Sequence, residues 1–148
     1  MHIALTNSHI WLAAMIAVSA YAFLRGGRPE RTVAIANIVA YLATIAVQNR
    51  QDWFHPQWSM LTVDVAFLAL LVGMALLVDR YWLLFAAAFQ LLGVVTHLAI
   101  IADPSVRSLA YLRSLGIWGY MVLVALAAGA YGVTRRPGGE ASPPGTYA

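Results

Sequence analysis

Five long apolar segments, separated by short polar or charged stretches, follow one another along the chain. Each segment is close to the length, about 20 residues, with which an α-helix crosses the hydrocarbon core of a bilayer. The pattern therefore predicts an all-α integral membrane protein, a five-helix transmembrane bundle with short loops. The predicted helices cover residues 7–24, 32–48, 60–78, 81–102 and 115–133.

These helices form one predicted transmembrane domain, residues 1–134, and the breaks between them carry recognisable signals. Glycine and proline in RGGRPER end the first helix, and Asp79-Arg80 makes a minimal turn between the third and fourth. Residues 103–114 are predicted to connect the fourth and fifth helices, with a short amphipathic turn along the membrane surface. Residues 135–148 are rich in Pro and Gly, which predicts a disordered cytoplasmic tail.

Composition strengthens the membrane prediction. Of the 148 residues, 61% are hydrophobic and only 10% are charged, whereas soluble domains carry about 25% charged residues. The absence of cysteine excludes disulfides, thiolate metal sites and cysteine nucleophiles. All nine cationic residues are arginines that flank apolar segments, so the basic charge indicates membrane topology and no nucleic-acid partner.

Arginine placement predicts the orientation of the chain in the membrane. With five spans, six arginines fall on one side and three on the other, which favours an N-terminus outside and a C-terminus in the cytoplasm. The segment DRYWLLFAAAFQLLGVVTHLA resembles bacterial inner-membrane proteins, and this resemblance implies that location. Tryptophans are expected to form an aromatic belt near the outer interface, namely Trp11, Trp53, Trp58 and Trp118.

Polar residues inside the apolar segments share helix faces. On the fourth helix, Gln90 and His97 fall on one face, seven residues apart. Asp64, the lone acid of the third helix, is expected at the same depth as His97 on the adjoining antiparallel helix, about 6–8 Å below the outer interface. The two side chains meet if their faces are turned together. The second helix carries a polar stripe of Asn37, Tyr41, Thr44 and Gln48.

Two interpretations of these polar residues stay open. A charge in hydrocarbon costs about 2.5–3.5 kcal/mol, so Asp64 should pair, touch water or be protonated. One interpretation is an outward-facing polar cavity for a proton, an ion, a headgroup or a cofactor; the other is hydrogen bonding that only holds helices together. His9 is expected near the same level. The loop side chains Trp53 and His55, with Trp58, are expected to anchor the interface or a partner.

The sequence leaves three functions open. The first is a non-catalytic subunit or scaffold of a larger membrane complex, with other membrane subunits or further copies of the chain as partners in the lipid bilayer. The second is a small transporter or proton- or ion-conducting unit that uses Asp64 and His97. The third is a cofactor- or pigment-associated protein, for which haem b between His97 and His9 is one option. No catalytic motif or metal-ligand cluster is present, and the only glutamates, Glu30 and Glu140, fall outside the predicted spans.

Overall fold

The chain folds into a bundle of five α-helices, and this confirms the predicted all-helical fold and helix count. The computed structural model describes residues 2–47, 58–102 and 108–134. Gln48, Trp53, His55 and the predicted tail lie outside the described residues. The helices are α1 (His2–Arg25), α2 (Arg28–Val47), α3 (Trp58–Leu77), α4 (Tyr81–Ala102) and α5 (Ser108–Thr134).

Four of these helices are long and apolar enough to cross a membrane. Within the described residues, the qualifying segments are Arg28–Val47, Trp58–Leu77, Tyr81–Ala99 and Arg113–Thr134. The apolar stretch His9–Arg25 of α1 is shorter. The helical lengths fit the bilayer because about 20 residues at about 1.5 Å each span its hydrocarbon core.

Three helix starts differ clearly from the sequence prediction. α5 begins at Ser108 instead of residue 115, so most of the predicted connector is helical. The segment SLAYLRS contains no proline or glycine and includes good helix formers, so nothing in it stops the helix. α2 begins at Arg28 instead of residue 32 because the preceding turn caps it. α1 also extends further toward the N-terminus, to His2.

The five helices form a ring in sequence order. Each helix packs against the next one along the chain, and α5 packs back against α1. α2 also contacts α5 across the ring, whereas α1 and α4 do not pack against each other in the described residues. Side chains from every helix can therefore point toward one shared interior.

The two halves of the bundle, divided along the helix axes, have different interiors. One end carries the α1–α2 and α3–α4 turns and is called the arginine-rich end, after Arg25, Arg28, Arg31 and Arg80. The half near this end holds an apolar core that includes the fully buried Leu71, Leu83 and Leu126. The other half contains the polar residues described below.

Glu30 ties the α1–α2 turn to α4 at the arginine-rich end. Its Oε2 accepts a hydrogen bond from the Gly27 backbone N–H at 2.9 Å, which is the glutamate half of a capping box at the start of α2. Its Oε1 accepts one from Trp82 Nε1 at 3.0 Å. Glu30 is fully buried. It was predicted outside the spans, but it lies in the first turn of α2 and within the apolar segment Arg28–Val47.

Candidate functional site

Asp64, Gln90 and His97 form a hydrogen-bonded group between α3 and α4, called here the polar cluster. Asp64 Oδ2 lies 2.8 Å from His97 Nε2. Gln90 Nε2 donates to Asp64 Oδ1 at 3.0 Å and approaches the Asp64 backbone oxygen at 3.3 Å. The predicted meeting of Asp64 with His97 is thus present in the structure, and each carboxylate oxygen has one partner on α4.

The antiparallel pairing of α3 and α4 explains this arrangement. Asp64 lies fifteen residues before Asp79 in the connecting turn, and Val94 lies fifteen residues after it. Gln90 and His97 lie on either side of the level of Val94, roughly one helical turn away in each direction. A single carboxylate on α3 therefore reaches both side chains, because they share one face of α4.

Burial distinguishes the members of the polar cluster. The His97 side chain is 3% exposed, whereas the Asp64 side chain is 27% exposed. Gln90 is buried. The carboxylate is consequently the accessible group of the cluster, and its two buried partners hold it in place through hydrogen bonds.

Asp64 faces a cavity of about 340 Å³ that all five helices line. The cavity volume falls in the range of small-molecule pockets, about 300–1,000 Å³. Phe67 and Val122 belong both to the cavity lining and to the apolar core, so the core closes the cavity toward the arginine-rich end. The polar and aromatic lining side chains are Trp11, Asn37, Tyr41, Thr44, Asp64, Phe67, Gln90, His97 and Trp118.

The polar stripe of α2 forms one wall of this cavity. Asn37, Tyr41 and Thr44 all line it, so the structure brings three of the four predicted stripe residues to Asp64. The ring of Tyr41 packs on that of Trp11, with centroids 4.8 Å apart and planes tilted by 38°. Asn37 is 9% exposed, and its Nδ2 is buried without a hydrogen-bond partner. A buried donor of this kind calls for an acceptor in the cavity.

The α5 wall combines an anchored tryptophan with glycines. Trp118 Nε1 donates to Thr96 Oγ1 at 3.1 Å, and this bond fixes the indole on α4. A Cβ on Gly119 would lie 3.2 Å from Trp11 Nε1, so the glycine allows Trp11 to pack closely. Gly93 and Gly116 line the cavity, and a Cβ on either would meet nothing within 4 Å. These two glycines keep cavity space open.

Sequence reasoning missed the role of two tryptophans. Trp11 and Trp118 were expected in an interfacial belt, yet both line the cavity. Helical periodicity carries a partial signal, because Trp118 lies three residues after Leu115 and four before Val122, so these three lining residues share one face of α5. The direction in which each indole turns depends on how α5 closes the ring against α1.

Some predicted residues lie apart from the cavity. His9 is exposed on α1 and does not line the cavity. In the described part of the chain α1 does not pack against α4, and His97 Nε2 lies 2.8 Å from Asp64 Oδ2, so this geometry does not fit a haem held between His9 and His97. Trp58 is exposed at the start of α3, where an interfacial anchor would lie.

The lining of the cavity supplies charge, hydrogen-bonding groups and aromatic faces. Among the described residues, no three histidine, aspartate or glutamate side chains converge to hold a metal ion. The cavity offers one accessible carboxylate, one unpartnered amide donor and several aromatic faces. These groups can hold a small molecule or ion by charge and hydrogen bonding.

No protein-family model, no curated protein and no solved structure matches this chain.

Proposed function

We propose that this chain is an integral membrane protein of five spans that binds a small polar ligand or ion in its central cavity, as a small transporter would. The observation that carries the proposal is the convergence of all five helices on a cavity with an accessible carboxylate. An ionisable group within membrane-spanning helices is a functional candidate by default, because its insertion is costly and such groups mostly occur where they pair or line a site.

The cavity is closed at one end, and this shape favours a binding site that is entered from the other end. It does not favour an open channel. Phe67 and Val122 form its floor, and fully buried leucines fill the core beyond them. An open ion path would need polar lining through the whole bundle. Transport through such a closed core requires a second conformation, as in alternating access.

The polar cluster has features that purely structural hydrogen bonding does not require. A carboxylate that only bridges helices needs no opening beyond its two partners on α4, yet the Asp64 side chain is 27% exposed and lines the cavity. Asn37 Nδ2 also stays unpartnered while buried, which costs about 1–3 kcal/mol without a water or ligand. Both features favour an occupant.

The proposed topology has the arginine-rich end in the cytoplasm of a bacterial inner membrane. Short loops that carry arginine remain on the cytoplasmic side, so the cavity would face outward and the N-terminus would lie outside. α1, with 24 residues, is long enough for a fifth span. A reporter fused after the last residue should be active only in the cytoplasm; activity outside would reverse this topology.

Cysteine accessibility tests whether the cavity is open to water. Because the chain has no cysteine, a single introduced thiol reports on one position. Gly93→Cys places a thiol in the open space of the cavity, and we expect a membrane-impermeant, water-soluble thiol reagent to label it. The matched control is Val95→Cys, which lies at nearly the same depth on the exposed face of α4. Equal, negligible labelling of both variants would mean that the cavity is closed, and would refute the binding proposal.

A role as subunit of a larger membrane complex is the second proposal. It is supported by the extensive apolar surface of α2 and α3, including Ile35, Val39 and Val72, which stays exposed among the described residues. Native mass spectrometry after extraction in mild detergent should then show a stoichiometric partner or an oligomer. If only a monomer is found, lipid covers this surface and the subunit proposal is refuted.

A further inference from the structure

We propose that the ligand of the cavity is a small organic cation that also carries a hydrogen-bond acceptor, such as an amino or quaternary ammonium alcohol. This inference rests on the proposed function and names the ligand class of the same cavity. It combines the accessible carboxylate of Asp64, the aromatic pair Trp11–Tyr41 and the unpartnered amide of Asn37.

The charge of the lining favours a cation. Asp64 is the acid of the lining, and the lining contains no arginine among the described residues. The accessible atoms of the polar cluster are those of the Asp64 carboxylate. Each Asp64 oxygen has one hydrogen-bond partner, and a carboxylate oxygen can accept a second donor from a ligand.

The aromatic lining favours an organic cation over a bare metal ion. Cations bind over the faces of Trp and Tyr within about 6 Å of the ring centroid, and quaternary ammonium ligands are recognised in this way. Trp11 and Tyr41 lie together on one wall, and Trp118 is held in place by Thr96 on another. A bare metal ion would instead need several converging anionic or imidazole ligands, which the described residues do not provide.

The side-chain amide of Asn37 favours a ligand that carries a hydrogen-bond acceptor. Its buried Nδ2 is a donor without a partner, and it belongs to the cavity lining. A hydroxyl or carbonyl oxygen on the ligand would satisfy this donor while the cationic end approaches Asp64. The volume of about 340 Å³ limits the occupant to a small molecule, since a water molecule takes about 30 Å³ in the liquid.

A charge series of equal shape tests this assignment on the full chain in mild detergent. Choline, 3,3-dimethylbutan-1-ol and 3,3-dimethylbutanoate have nearly the same size but are cationic, neutral and anionic. We expect choline, or the smaller cation ethanolamine, to raise the unfolding temperature saturably. The neutral and anionic compounds should bind about tenfold more weakly or worse, because they lack the attraction to Asp64 and to the rings.

Variants distinguish binding of the cations in the cavity from their nonspecific effects on stability. Asp64→Asn keeps a side chain of the same shape and should abolish the preference for the cation. Gly93→Ala should weaken binding of choline by filling cavity space, whereas Gly73→Ala, which also meets open space but lies outside the lining, should not change it.

A second measurement needs no reversible ligand. At Gly93→Cys, a cationic thiol reagent should react faster than an anionic reagent of the same size, and Asp64→Asn should remove the difference. Equal rates, or tighter binding of the neutral or anionic compound, would overturn the cation assignment. Failure of both cations to bind would do the same, while labelling of Gly93→Cys would still uphold the water-filled cavity.

Discussion

Gly129→Ala is predicted to destabilise the bundle because a methyl group at this position collides with a fixed indole. A Cβ on Gly129 would lie 2.6 Å from the Trp82 atoms Cδ2, Cε2 and Nε1. Ordinary carbon contacts are about 3.5–4.0 Å, so the ring or α5 must move by about 1 Å. The ring is not free to move, since Trp82 Nε1 donates to the buried Glu30 carboxylate.

The change in the free energy of unfolding is the sum of two destabilising contributions and one stabilising contribution. Overpacking of a well-packed contact costs about 1–3 kcal/mol. Stretching the indole hydrogen bond to a charged acceptor removes part of a further contribution of about 1.5–3 kcal/mol. Alanine in place of glycine within a helix recovers about 0.5–1 kcal/mol. The free energy of unfolding should therefore fall by about 1–4 kcal/mol.

The assay is reversible unfolding of the detergent-solubilised protein, followed by far-ultraviolet circular dichroism. Gly132→Ala is the matched control, because Gly132 lies nearly one turn further along α5 and a Cβ there meets nothing within 4 Å. This control should be about 0.5–1 kcal/mol more stable than the unmodified protein, because alanine gains helix propensity there without a collision. A smaller side chain at position 82 should relieve the collision, so Gly129→Ala should cost less in a Trp82→Leu background.

Equal stability of the Gly129→Ala and Gly132→Ala variants would refute this reasoning. So would an unchanged cost of Gly129→Ala in the Trp82→Leu background, since the destabilisation would then have another origin.

Three further predictions concern individual hydrogen bonds. Glu30→Gln should lower the free energy of unfolding by about 1–3 kcal/mol, because an amide has one acceptor oxygen for the two donors that the carboxylate satisfies. Asp64→Leu should cost about 1–3 kcal/mol by removing the acceptor for two buried side chains, and Asp64→Asn should cost less. Trp118→Phe should cost about 0.5–1.5 kcal/mol through loss of its bond to Thr96.

The same unfolding assay decides each case. A Glu30→Gln variant as stable as the unmodified protein would show that the two donors find other partners. Equal costs for the leucine and asparagine variants at position 64 would argue against hydrogen bonding as the source of the effect. For Trp118, a double-mutant cycle with Thr96→Val should give a coupling energy; its absence would mean that the bond contributes nothing.

Hydrophobic patterning alone was sufficient for the helical architecture of this chain. The predicted bounds of α4 agree with the structure, and α3 agrees to within two residues at its start and one at its end. Apolar length and flanking turn residues are local properties, so they can be read from neighbouring positions. Two helices begin earlier than predicted for different local reasons: the cap at Gly27 starts α2 at Arg28, and no proline or glycine interrupts residues 108–114 of α5.

The pairing of Asp64 with His97 could also be predicted from the sequence. A three-residue break between α3 and α4 forces the helices to be antiparallel neighbours, so counting residues from the turn sets the depth of each side chain. The same counting does not reach Trp11 or Trp118, because their position depends on the closure of α5 against α1, which are more than eighty residues apart in the sequence.

Sequence by itself determined the elements of this protein: five apolar helices, their turns, and polar residues that share faces and depths. Only the tertiary structure decided that these faces surround one cavity, that Asp64 is its accessible group, and that Glu30 is buried against Trp82. The physical reason is that periodicity defines the face of a residue relative to its own helix. The rotation of each helix toward the others is set by packing across the whole ring.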